Sequence, residues 1–219
     1  MINILLSRYD ISKKWCSKEL AKYIKKGAKV VVLAFSFGDE ISSVNDWEKY
    51  YGKIGVLSTA IEKAFKHYGV RSDDVQYINY FCDTPEVARD KLSQADIFFI
   101  PGGRADKFMM RAIEFQLYKE IEQHKGVVIG FGAGAQVQLA KFHVSDGDAK
   151  MCYSLGFRFI DGFDIEPDYS GRDLQDYFIS RVIKETGVPV YAIGEEGAII
   201  VDNGEMRIIG DVRCFGKKD

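Results

Sequence analysis

The chain reads as an α/β protein with three α/β/α layers and a mostly parallel sheet, and three observations carry that expectation. Short β-rich apolar runs alternate with longer segments of helical period. One of them, KVVVLAF from Lys29 to Phe35, is apolar throughout after its lysine, the pattern of a strand buried on both faces. Two others, ADIFFIPGG and VVIGFG, stop in glycine turns at Gly102 and Gly132, and each turn runs on into a helical pattern. In parallel sheets ligands sit at the carboxyl ends of the strands, so the two turns are expected to face one crevice.

The elements follow in order. INILLS opens the chain as a strand, and KKWCSKELAKYIKKG has a helical period with Gly27 as its stop. After KVVVLAF comes a long helical segment ending LSTAIEKAFKHYGV, and VQYINYF alternates as a strand. TPEVARDKL begins a helix with Thr84 as cap, Pro85 in the first position and Glu86 in the first turn. Residues 104–126, RADKFMMRAIEFQLYKEIEQHKG, are expected as one helix, followed by VVIGFGAGAQVQLA. Further on, FRFIDGFDIE reads as a strand, GRDLQDYFISRVIKETG as an amphipathic helix stopped by Gly187, and VPVYAIG as a strand. GAIIVDNGEMRIIG is a hairpin, because Asn203-Gly204 supplies the two positive-φ residues of a tight turn.

Bulk composition narrows the function classes. The 219 residues suit one large α/β domain spanning 1–219, with 47% hydrophobic and 28% charged residues. A formal charge of -2 gives no electrostatic reason to expect nucleic acid or an acidic membrane as partner. Cys16, Cys82, Cys152 and Cys214 show no CxxC spacing, which argues for reduced thiols and against a metal knuckle or disulfide framework. The apolar run at the start is only about five residues with no basic region before it, unlike a signal peptide. No run reaches the roughly 18 apolar residues of a membrane span. A cytoplasmic protein without cofactor or metal is expected, and homo-oligomerisation is left open.

The segment VVIGFGAGAQVQLA, Val127 to Ala140, has the form of a nucleophile elbow: apolar strand, turn of small residues, helix start. Gly130, Gly132, Ala133, Gly134 and Ala135 let such a turn close, and a helix start offers N–H groups that hold an oxyanion. A nucleotide-binding turn would read G-x-G-x-x-G or carry the P-loop lysine, and GFGAGA does neither.

FFIPGGRADKFM, VVIGFGAGAQVQ and GFDIEPDYS, in that order and spacing, resemble the peptidase E family, serine peptidases related to cyanophycinases on the class I glutamine amidotransferase-like, flavodoxin-like fold. The resemblance covers most of the chain. It implies a G-[aromatic]-S-A-G-A elbow, in which Gly132 takes the serine's place. It implies a Pro-His pair carrying the base, and Pro167-Asp168 puts Asp168 there. The family's Gly-Gly-Asn turn is Gly102-Gly103-Arg104 here, and its acid falls in the region of Asp146 and Asp148, each equally accounted for as a turn residue.

Acyl-enzyme chemistry needs a nucleophile and a base within hydrogen-bond reach. Glycine has no attacking atom, and an aspartate with an ordinary pKa near 4 is a weak base at neutral pH. Among replacements, Ser145 with His143 two positions away is disfavoured as a pair, Ser170 has no histidine beside it, and Cys152 in KMCYSLGF is expected to be a buried thiol. His67 and His124 fall at the ends of helical patterns.

Binding is the function that survives these departures. Gly102, Gly103, Arg104, Gly132, Ala133 and Glu166 are the candidate ligand-binding residues, with the dipole of the helix from Ala133 and the Arg104 cation favouring a small peptide or carboxylate. Arg104 is accounted for equally well as a solvated residue opening its helix, and Asp164, Glu166 and Asp168 offer it ion-pair partners. Three readings follow: a peptidase E-like protein that binds without hydrolysing, an active hydrolase with a relocated nucleophile or a directly activated water, and a glutaminase-like scaffold or interaction subunit.

Overall fold

A computed structural model describes residues 1–145 and 150–216, so the two candidate acids Asp146 and Asp148 lie outside the described residues. Five strands build the parallel part of the sheet: β1 (Ile2–Leu6), β2 (Val30–Val32), β3 (Val75–Tyr77), β4 (Ile97–Ile100) and β5 (Val127–Phe131). β6 (Lys141–Ser145) and β7 (Met151–Leu155) form a separate antiparallel pair. β8 (Asp164–Glu166) runs parallel to β9 (Val190–Asp202), and β9 turns through Asn203-Gly204 into β10 (Glu205–Phe215). The sheet order is β10-β9-β1-β5-β4-β2-β3. The hairpin turn has φ of 49° at Asn203 and 91° at Gly204, as its sequence demands.

Strand pleating divides the core in two. Phe98 and Ile100 of β4 pack on one side of the sheet, with Ala88 and Leu92 of α4 (Pro85–Ser93) and Phe108 and Ala112 of α5 (Ala105–Glu114). Ile97 and Phe99 pack on the other, with Leu20 of α1 (Lys14–Leu20), Trp47 of α2 (Val44–Tyr51) and Phe65 of α3 (Val56–Lys66). Period-two alternation thus supplies both layers from one apolar run. Each fully buried Phe contributes roughly 1.5–3 kcal/mol relative to exposure. The expected caps form: Thr84 accepts the Val87 N–H, and α8 (Asp173–Thr186) ends at Gly187 with φ 75°. Among the described residues, no helix is long and apolar enough to cross a membrane.

Four sequence expectations are corrected. The helix expected over 104–126 breaks into α5 and α6 (Tyr118–Glu122). Gln116 there has φ 54°, the Gln116 N–H donates to Ile113 O at 2.8 Å, and the Leu117 N–H donates to Ala112 O at 2.9 Å. This is a Schellman stop with glutamine in the left-handed position, and it turns the chain to bury Leu117 and Ile121. VQYINYF is strand only to Tyr77, because the Asn79 side chain accepts the Phe81 N–H and Asp83 accepts the Asn79 N–H, turning the chain. FRFIDGFDIE keeps only Asp164–Glu166 as strand, interrupted by positive φ at Arg158 and Gly162. Cys152 is exposed, since the β6–β7 pair lies off the main sheet.

Candidate functional site

The elbow lies between β5 and α7 (Ala133–Gln136), with Gly132 at φ 54° and ψ -119°. Close packing fixes the turn. A Cβ on Gly134 would lie 2.0 Å from Ile100 O, so only glycine lets α7 approach β4 this closely. Gly132 differs: a Cβ there would meet nothing nearer than Gly102 Cα at 3.7 Å and Ser7 O at 4.0 Å. The turn has room for a side chain, while its φ disfavours one. With four residues, α7 has little macrodipole, so the dipole expected at Ala133 reduces to the first-turn N–H groups of Ala133 and Gly134, which have no intrahelical acceptor.

The elbow opens into a cleft of about 930 Å³ at the carboxyl ends of β1, β4, β5 and β8. The structure brings Gly102, Gly103, Arg104, Gly132, Ala133, Glu166 and Asp168 to its walls. It adds Ser7 and Arg8 after β1, Gln136 of α7, and Arg172 and Gln175 at the start of α8, none of which the sequence singles out. The one available signal was positional, since Ser7 and Arg8 directly follow a parallel strand's carboxyl end.

Arg104 does not pair with Asp164, Glu166 or Asp168. Its guanidinium grips Asp106 through two bonds of 2.9 and 2.8 Å, and its backbone N–H donates to Ser36 O. Asp106 belongs to the first turn of the helix that Arg104 opens, which makes the local pair the nearer choice. Arg8 takes the longer-range role, with Nε 3.7 Å from Asp168 and 3.6 Å from Glu195.

Asp168 adopts φ 53°, and its N–H donates to Ser7 Oγ at 3.0 Å. Burial raises its carboxyl pKa above the ordinary value, Arg8 opposes the rise, and Glu166 and Glu195 add to it. The Ser7 hydroxyl proton goes to Ile193 O.

Beneath the cleft floor lies a buried polar chain. His143 is fully buried; its backbone N–H and Nδ1 lie 3.0 and 2.9 Å from Asp164 Oδ2, and its Nε2 lies 2.8 Å from Glu166 Oε2. Gln175 donates to Glu166 Oε1 at 3.0 Å and to Asp168 O, while Gln136 donates to His143 O. Burial alone would lower the imidazole pKa, but the two carboxylates outweigh it and raise it to about 9. Both ring nitrogens of His143 are thus engaged by carboxylates, so the imidazole is not free to serve Ser145, which also lines the cleft. Among the described residues, no cluster of His, Cys, Asp or Glu is arranged to hold a metal ion.

The model of peptidase family S51 matches residues 42–209. A putative peptidase E protein from Listeria monocytogenes EGD-e superposes with a TM-score of 0.61 at 14% identity, covering 94% of this chain and 96% of that one. A peptidase from an acI-B1 Actinobacterium superposes with a TM-score of 0.65 at 15% identity, covering 96% of this chain and 87% of that one. At such identities the two structures establish a shared fold. No curated protein matches the chain.

Proposed function

The chain belongs to peptidase family S51, and from that premise we propose that it binds a small peptide or carboxylate in the elbow cleft without serine-type hydrolysis. The observation that carries the reading is Gly132: the elbow backbone is present, with room for a side chain, and no attacking atom stands on it. Asp168 at the base position supports the same reading, because its carboxylate faces Arg8 and its amide is spent on Ser7. The first-turn amides of α7, Arg8, Arg104 and Arg172 supply donors for a carboxylate. A cytoplasmic setting fits this reading.

The active-hydrolase reading rests on one observation, that Ser7 and Ser145 both line the cleft. A serine-directed fluorophosphonate followed by intact-mass measurement separates the two. The binding reading expects no adduct, together with saturable binding of succinate or the dipeptide Asp-Leu by calorimetry. An adduct on either serine, with turnover of the dipeptide, defeats it. Absence of binding by either compound favours a scaffold instead.

A further inference from the structure

The Asp164–His143–Glu166 chain is absorbed by neither reading, although one of its members lines the cleft. Resting on the reading that the cleft takes a small peptide or carboxylate, we propose that His143 is a positioning residue that holds the Glu166 carboxylate in the cleft floor as the acceptor for a ligand's primary ammonium group.

The geometry favours a charged ring. Asp164 Oδ2 receives both the backbone N–H and Nδ1 of His143, which sets the ring's orientation, and Asp164 Oδ1 receives the Ile165 N–H. Nε2 then faces a second carboxylate oxygen at 2.8 Å. A neutral ring would turn a lone pair toward one of these carboxylates, so the arrangement fits an imidazolium with both nitrogens donating. Two carboxylates and one imidazolium leave one net negative charge, and Glu166 is the carboxylate at the cleft. Among the described residues, its oxygens accept one bond each, from His143 and Gln175. A carboxylate offers about four acceptor directions, so about two remain for a ligand.

The surroundings reinforce this assignment. From β7, Tyr153 sits opposite His143, its hydroxyl donating to Glu185 of α8 and its ring under the Lys141 ammonium of β6. From α7 and α8, Gln136 and Gln175 contribute uncharged amides. Arg8, Arg104 and Arg172 also line the cleft. Arginines and Glu166 in one cleft lining match a ligand that carries both an amine and a carboxylate, and the raised imidazole pKa keeps the His143 charge constant through neutral pH.

Calorimetric titration of the full chain at pH 7 with succinate, Asp-Leu and N-acetyl-Asp-Leu tests this. The expected result is that Asp-Leu binds at least about tenfold tighter than its acetylated form, and that Glu166→Gln brings the ratio to about one. His143→Gln is expected to do the same with Glu166 intact, and ¹⁵N NMR of the wild-type ring at pH 8 is expected to show both nitrogens protonated. Should His143→Gln fail to fold, the isosteric Glu166→Gln decides. If all three compounds bind equally, the carboxylate reading stands and the amine inference falls. If none binds, both fall. A ring that titrates near 6.5 removes His143 from the role.

Discussion

The hydroxyl of Ser7, at the end of the first strand, accepts the backbone N–H of Asp168 at 3.0 Å across 161 residues of sequence. Ser7 O is also the second-nearest atom to a side chain built on Gly132. One residue thus stands between the elbow and Asp168.

Ser7→Ala is expected to leave the Asp168 amide unsatisfied and to cost about 1–3 kcal/mol, read as a lowered urea midpoint. The Asp168 turn, already at positive φ, is expected to become more mobile, visible as faster exchange of its amide hydrogen. An unchanged midpoint would show that the bond contributes nothing net.

Gly132→Ser is expected to fold, since the added Cβ meets only ordinary contacts, and to lose roughly 1–3 kcal/mol from the left-handed φ. Hydrolysis of Asp-Leu is expected to stay at background, because Asp168 is a poor base for a serine hydroxyl. A clear rise in turnover from this single change would overturn the non-hydrolytic reading.

His143 links stability to pH. Its folded pKa, about 9, lies above the unfolded value near 6.5. The stabilisation is therefore complete below about pH 6.5 and is lost as pH rises through about 9, on the order of 3 kcal/mol in all. Unfolding free energies of wild type and His143→Gln, measured from pH 6 to 10, are expected to converge toward the alkaline end. A constant gap would mean that the folded ring titrates as the unfolded one does.

Gln116→Gly is expected to stabilise by about 1 kcal/mol, because glycine relieves the left-handed position of the Schellman stop, offset in part by loss of the exposed bond from Arg89. Differential scanning calorimetry reads this as a higher Tm, and a lower one would mean that the Arg89 contact outweighs the backbone term.

Local signals carried much of this structure. Thr84-Pro85, Gly187 and Asn203-Gly204 each mark a boundary by their own chemistry, and the elbow is a contiguous segment of small residues. What stayed hidden depends on partners far apart in the chain. Gln116 ends a helix without glycine or proline, and the buried Leu117 that rewards the turn is apolar in either register. His143 meets Asp164 and Glu166 only because the β6–β7 pair folds back over β8, so a lone histidine between Phe142 and Val144 looked like a neighbour of Ser145 instead. Arg8 holds a partner that the sequence offered to Arg104 for a similar reason: Asp106 is two residues from Arg104, whereas Asp168 reaches Arg8 only through the fold.

The contrast between Gly134 and Gly132 has a practical side. Contact of Gly134 with the Ile100 carbonyl sets the shape of the turn, so the residue at its tip is uncoupled from the framework and projects into open volume. Position 132 is therefore an attachment port. A cysteine installed there would carry a small fluorophore into the cleft, and the molecule would become a reporter of its own occupancy.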